Sequence, residues 1–468
     1  MPVLRAVAVQ PQADWMTENA AGLDSLQKGR AAEAAKSFAR AVQIAEKFGP
    51  DDDRLGESLN GLAEAYRLLE DYANAGATYR RILAIRWSAD SNKGDLAAAE
   101  LIDRFAEVLR LAYFKGPDYD KVLKAYQEAL NKTPVGAPTY VAMTSMLVKS
   151  DLTTEAADVM ERAVRAFPNS RQLRYKEAEM HRDSGKMRKA LETFQAASQL
   201  KAPPTMPPER DRQQLSFIYQ RMGGINTDIV DFDASIAAYK KAVEIWPENA
   251  DARVALGDAY LRRGQYSEAL TEYSNVLKSH SDSALPYYRI ADANLQKGNF
   301  AEAADAAGRA LRIDPKHRKA RYVNGTALLR LGRTDEGQKE LELFRKQEGD
   351  AQAELNAERD VLVSNRGAAS LLLKGQTNDA LAAFQESIAS HPAASLLRLN
   401  YGVALDMVGR PRDAAAAFQV LLEGGGDTFL VYKSLARAAE TMKDQAASAK
   451  FGALFIRKID ESLEEELR

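Results

Sequence analysis

Residues 250–283 read ADARVALGDAYLRRGQYSEALTEYSNVLKSHSDS, residues 284–317 read ALPYYRIADANLQKGNFAEAADAAGRALRIDPKH, and residues 318–351 read RKARYVNGTALLRLGRTDEGQKELELFRKQEGDA. Aligned, the three lines keep step. Gly264, Gly298 and Gly332 stand 34 residues apart, as do the pairs Leu256-Gly257, Ile290-Ala291 and Asn324-Gly325. Each line has helical apolar spacing, then a turn with glycine, then helical spacing again, which predicts two antiparallel helices joined by a tight turn. The small residues Gly257, Ala291 and Gly325 let the second helix approach the first, and Tyr260, Tyr273, Leu328 and Leu341 fill the space between neighbouring hairpins. Pro315 stands where a helix must stop, because proline lacks the amide hydrogen that the next turn needs.

The same frame extends in both directions. Upstream it passes through Tyr140, Ala156 and Pro168, then Ala178, Gly185, Ala190 and Phe194. Downstream it passes through Ala368, Gly375, Ala380 and Phe384, then Gly402, Gly409, Ala414 and Phe418. An earlier copy surrounds Gly22, Gly29, Ala34 and Phe38, and a weaker last one surrounds Tyr432 and Ala436. This pattern resembles the tetratricopeptide repeat, W-x2-L-G-x2-Y, A-x3-F and P over 34 residues. The resemblance covers nearly the whole chain and implies an all-α solenoid, a right-handed superhelix of about twelve stacked hairpins. Between residues 34 and 90 the spacing lengthens, with Phe38 and Tyr79 standing 41 residues apart across a Gly49-Pro50-Asp51 junction. These two units are similar to the longer repeats of kinesin light chains.

The interruptions suggest a domain plan. We expect residues 1–13 to form a loose tail, since Ala6-Val7-Ala8 resembles an export cleavage site but too few residues precede it for a signal peptide; the alternative is that this start truncates one. Units 1–5 occupy 14–202. The segment PPTMPPERDR provides a Pro-rich spacer at 203–212, and we expect a hinge at 203–208. Units 6–9 follow over 213–349, with GGINTDIV (Gly223–Val230) expected to lengthen one turn. A polar helical connector spans 350–360. Units 10–12 fill 361–468, closed by a capping helix in which Phe451, Phe455 and Ile459 recur every four residues.

Composition excludes much chemistry. Among 468 residues there is no cysteine and there are four histidines, so disulfides, thiolate metal sites and cysteine nucleophiles are absent. No phosphate-binding glycine loop, dinucleotide fingerprint, zinc-protease or nucleophile-elbow motif occurs. We therefore expect no catalytic residue, no metal and no cofactor. Sixty-four basic against 66 acidic residues argue against nucleic acid as a partner, and no stretch approaches the ~18 apolar residues of a membrane span. A small-molecule ligand is not expected either.

The resemblance implies a scaffold that binds another protein, with the first helix of each unit lining a concave groove. At frame positions 2, 5, 9, 12 and 13, units 2 and 3 present Glu57, Asn60, Glu64, Arg67, Glu100, Asp103, Glu107 and Arg110, a polar face of mixed sign. Units 8–11 are more apolar there. We expect a peptide or helix to bind along Leu285, Tyr288, Asp292, Leu295, Tyr322, Leu329, Asn365, Arg366 and Leu399. No unit carries the Lys-5/Asn-9 pair of the carboxylate clamp in chaperone-binding relatives, which argues against a heat-shock co-chaperone. The alternatives are a reader of single-stranded RNA and a regulatory subunit of a multiprotein enzyme or export complex.

Overall fold

The computed structural model describes residues 3–49, 52–87, 96–112, 115–116, 118–202, 206–426 and 428–467, and among these every regular element is an α-helix. There are 23: α1 (Val3–Gln27), α2 (Ala31–Ala45), α3 (Asp53–Leu68), α4 (Tyr72–Trp87), α5 (Leu96–Arg110), α6 (Tyr119–Lys132), α7 (Ala137–Lys149), α8 (Thr153–Ala166), α9 (Arg171–Asp183), α10 (Met187–Gln199), α11 (Pro208–Asp228), α12 (Phe232–Ile245), α13 (Ala250–Arg262), α14 (Tyr266–Leu277), α15 (Ala284–Lys297), α16 (Phe300–Ile313), α17 (Arg318–Arg330), α18 (Thr334–Leu373), α19 (Thr377–Ser390), α20 (Ser395–Met407), α21 (Pro411–Glu423), α22 (Phe429–Thr441) and α23 (Gln445–Leu467). They pair in order as the first and second helices of twelve hairpins. One 40-residue helix, α18, serves as the second helix of hairpin 9 and the first of hairpin 10.

Each hairpin turn contains one residue with left-handed backbone. In hairpins 1, 5 and 7–11 it is glycine: Gly29, Gly185, Gly264, Gly298, Gly332, Gly375 and Gly409. In hairpins 2, 3, 4, 6 and 12 it is Glu70, Lys115, Asp151, Val230 and Lys443. This conformation closes the first helix with a Schellman bond, as when the Lys186 amide donates to the His181 carbonyl at 2.8 Å, and reverses the chain. Glycine is therefore the preferred but not the obligatory residue at the turn.

Close helix packing depends on missing side chains. A Cβ on Gly257 would lie 2.4 Å from the Tyr273 ring, one on Gly402 2.4 Å from Phe418, and one on Gly61 2.3 Å from Phe38. Gly223 does the same for Tyr239, where a Cβ would come within 2.7 Å. Here the structure corrects the expectation for Gly223–Val230. Those residues do not lengthen the turn, because Gly223 and Gly224 lie inside α11, a 21-residue helix, and the turn comes at Ile229–Val230. The opposing alanines Ala34, Ala75, Ala190, Ala269, Ala303, Ala380 and Ala414 are fully buried.

Two other segments differ from the sequence plan. Helix α1 begins at Val3, within the stretch expected to be a tail. Helix α11 begins at Pro208 with proline in its first turn, so the spacer ends earlier than 212, and residues 203–205, where the hinge was expected, lie outside the described residues. The chain divides into two compact units: a discontinuous one, Met1–Glu161 with Arg359–Arg468, and a central one, Arg162–Glu358.

Candidate functional site

Within the discontinuous unit, the C-terminal repeats pack against the N-terminal ones. Helix α22 lies against α5, and α23 lies against α4 and α7 as well as against its own partner α22. The expected cap is thus itself covered. Phe455 and Ile459 are buried, as are Ala453, Ile456 and Asp460. A Cβ on Gly76 of α4 would sit 3.5 Å from the Ala453 Cβ, so the two backbones come close there.

The unit 3 part of the predicted polar face, Asp103, Glu107 and Arg110, forms the other half of this junction, whereas in unit 2 Arg67 pairs with Glu64 of its own helix. Arg437 of α22 donates to Glu107 at 2.6 Å and pairs with Asp406 at 3.1 Å. Arg110 pairs with Glu107 at 2.8 Å and with Asp406 at 3.5 Å, its side chain only 2 % exposed. Lys433 stands 3.9 Å from Asp103, and Arg86 bridges to Asp460. Burial pushes the Asp406 carboxyl up, and the nearby Arg110 and Arg437 pull it back only in part, so it ends above the ordinary aspartate value. Burial also acts on Glu107, but there the Arg110 hydrogen bond and charge, with Arg437, prevail and hold it below the ordinary value. Two clefts of about 740 and 950 Å³ remain along this junction, and Asp103, Glu107, Lys433 and Arg437 line both. Sequence reading identified Asp103, Glu107 and Arg110 as a polar face. It had no signal for Asp406, Lys433 or Arg437 as their partners.

The central unit presents a different surface. Of the predicted groove residues it contains Leu285, Tyr288, Asp292, Leu295, Tyr322 and Leu329. Leu285 is 40 % exposed, Tyr322 48 % and Leu329 37 %. Tyr288 is buried, its ring 4.8 Å from the His317 ring and inside an alanine-rich core cluster. Asp292 is half-buried, and Leu295 packs at the edge of the same cluster. Nearby, Tyr273 donates to Asp258 at 2.6 Å and Arg289 pairs with Asp258 at 2.7 Å, tying α13, α14 and α15 together. Burial raises the Asp258 carboxyl, and the Arg289 charge offsets only part of that rise.

The remaining three predicted residues belong to the discontinuous unit. Asn365 is buried and accepts a hydrogen bond from the Asn400 amide at 2.9 Å. Leu399 packs against a core cluster, and Arg366 is exposed.

A notch of about 290 Å³ in the central unit gathers Phe217, Trp246, Val254, Val276, Leu285 and Pro286. Phe217 is 41 % exposed and meets Trp246 edge to face at 5.6 Å. Exposed Glu248 and Asp251 stand on its rim. Sequence reading found Leu285 by its frame position and missed Phe217 and Trp246, although Phe217 occupies position 9 of its unit. No helix among the described residues is long and apolar enough to cross a membrane.

Stacked hairpins of this kind define a helical-repeat scaffold for protein interactions. The chain belongs to the tetratricopeptide repeat family. Models described as tetratricopeptide repeat match residues 14–86, 147–207, 231–286, 254–318, 294–357 and 368–428. Among solved structures, the chain is similar to YrrB, a TPR protein with an unusual peptide-binding site, at 18 % identity and a TM-score of 0.32, over 42 % of this chain and 94 % of that one. It is similar to MamA from Desulfovibrio magneticus RS-1 at 17 % identity and 0.33, over 38 % and 96 %. It is also similar to a tetratricopeptide repeat protein from Parabacteroides merdae at 13 % identity and 0.36, over 64 % and 98 %. No curated protein matches the sequence.

Proposed function

We propose that the protein is a non-enzymatic scaffold that holds a peptide or helix of a partner protein along the first-helix face of the central unit, anchored in the Phe217–Trp246–Leu285 notch. One observation carries this reading: bulky apolar side chains stand exposed around a concavity large enough for one side chain of the ligand. Leaving Phe217, Leu285, Tyr322 and Leu329 in water is unfavourable, and covering them with an apolar anchor removes that penalty. The acidic rim of Glu248 and Asp251 favours a ligand that carries Lys or Arg beside its apolar anchor. Leu285, Tyr322 and Leu329 remain in the proposed site. Tyr288 and Leu295 belong instead to the core cluster of α15–α17.

Peptides selected from a random display library against the full-length chain provide the test. We expect them to share an aromatic or aliphatic anchor next to a basic residue, and to lose at least tenfold in affinity for Leu285→Asp or Phe217→Asp. Equal binding to the parent and to both variants, with unchanged circular dichroism, rejects this site.

A further inference from the structure

The junction in the discontinuous unit differs from the contacts between successive hairpins. Successive hairpins are joined by neighbours in the chain, through buried apolar clusters and local polar links such as Arg289–Asp258 and Asn400–Asn365. The junction brings together residues more than 290 positions apart through Arg110–Asp406, Arg437–Glu107 and Lys433–Asp103, and it leaves two clefts beside them. The buried apolar strip of Ala453, Phe455, Ile456 and Ile459, edged by charge pairs and open clefts, has the apolar core and polar rim of a protein–protein interface. Arg437 and Lys433 also retain access to water, so salt screens their pairs. The two sides are joined covalently only through residues 162–358, which sets the effective concentration of one side for the other.

We propose that this junction is an exchangeable docking interface, and that the C-terminal repeats of one copy of the chain, through α22 and α23, seat on the α4–α5 face of a second copy. The occupant is inferred from complementarity. The face of Asp103, Glu107 and Arg110, with Gly76 beside it, fits the Lys433, Arg437 and Asp406 charges and the small Ala453, and this chain demonstrably carries that combination. Reciprocal exchange between two copies closes on itself and satisfies both junctions without a new contact, the usual route to a swapped dimer. High salt and low protein concentration favour the open monomer. High concentration favours the exchanged dimer. The proposal concerns the discontinuous unit alone and stands or falls independently of the notch in the central unit.

The absence of cysteine makes the test direct. One full-length chain carries Gly76→Cys and another Ala453→Cys. The Cβ separation of 3.5 Å lies at the short end of the disulfide range. A third chain carries both substitutions and reports the intrachain junction. We expect the double variant to close an intrachain disulfide. After the two single variants are incubated together at high concentration and oxidised, a heterodimer should form at least fivefold above the cross-linking of either variant alone. Adding Arg437→Glu to the Ala453→Cys chain should lower that yield severalfold. If the double variant closes fully and the mixture gives only background cross-linking, the junction is a permanent intrachain contact and the proposal fails. If the double variant does not close, the junction itself is absent and the proposal fails for that reason.

Discussion

The first-helix face of hairpin 3 and that of hairpins 6, 8 and 9 carry opposite chemistry at the positions of one repeat frame. In the discontinuous unit those positions carry Asp103, Glu107 and Arg110, and they are covered by the chain's own C-terminal repeats. In the central unit they carry Phe217, Leu285, Tyr322 and Leu329, which stand in water. The contrast shows that residues on one repeat frame meet different surroundings, and that side-chain chemistry differs with them: charged where the chain covers the face, apolar where it does not. Ion pairs give register and orientation at modest net stability. The exposed apolar groups are where we propose that a partner binds.

The comparison can be broken most sharply at a buried charge. Replacing Arg110 with Met leaves Glu107 and Asp406 together with only the more exposed Arg437, and should destabilise the discontinuous unit by about 3 kcal/mol. The equivalent lesion in the central unit, Arg289→Met, should cost about 1 kcal/mol, because the Arg289 and Asp258 side chains each keep about a quarter of their exposure. Urea unfolding of the two variants measures the difference. Equal losses would remove the distinction between a buried cluster and a surface pair.

Gly257→Ala tests what the two regions share. A methyl group 2.4 Å from the Tyr273 ring must displace it, at a cost of about 1–3 kcal/mol, and Gly61→Ala against Phe38 should cost a similar amount. A melting temperature unchanged in either variant would show that the two helices in contact, α13 and α14 or α2 and α3, can move apart freely.

The pH response separates the two carboxylates of the junction. Glu107 is depressed in the folded chain, so the stability it contributes is full above its ordinary value of 4.5 and is lost as pH falls through its lower folded value. Asp406 is raised, so its contribution has the opposite sign, greatest when protonated and lost as pH rises from 3.8 through its folded value. The two partly cancel in mild acid. Asp406→Asn should remove the compensation and make intrachain disulfide closure of the Gly76/Ala453 double variant more sensitive to acid than in the parent. An unchanged acid profile would count against this opposition.

The smallest expected effect is a gain. Val230 is β-branched and holds φ at +65°, a conformation that suits glycine, so Val230→Gly should raise stability by about 0.5–1 kcal/mol in thermal unfolding. A loss there would mean that the side chain contributes contacts outweighing the strain.

The hairpins were legible from sequence because each repeats locally the same small residue, turn and aromatic partner within 34 positions. The fused helix α18 was partly legible, since residues 344–360 contain no proline and are rich in Glu, Gln, Arg and Ala, so nothing stops the helix at the connector. The junction was not legible. Contacts such as Arg110–Asp406 leave no periodic trace, and Asp103, Glu107 and Arg110 look like any solvated helix surface until their partners are placed. Frame position alone also failed to separate exposed from buried side chains. Tyr288 and Tyr322 both occupy position 5, yet Tyr288 is covered by His317 while Tyr322 stacks on Phe344 and keeps one side free.

The burial of α23 changes how the end of the array unfolds. In a linear array the terminal hairpin has one neighbour and frays first, since stability propagates through nearest-neighbour interfaces. Here the last hairpin has α21 on one side and α4 on the other. Its amides should therefore exchange with deuterium about as slowly as those of an interior hairpin while the junction is closed, and should become among the fastest in the chain when it opens. The C-terminal hairpin thus serves as a built-in reporter, read peptide by peptide, of how often the two ends of the repeat array let go of each other.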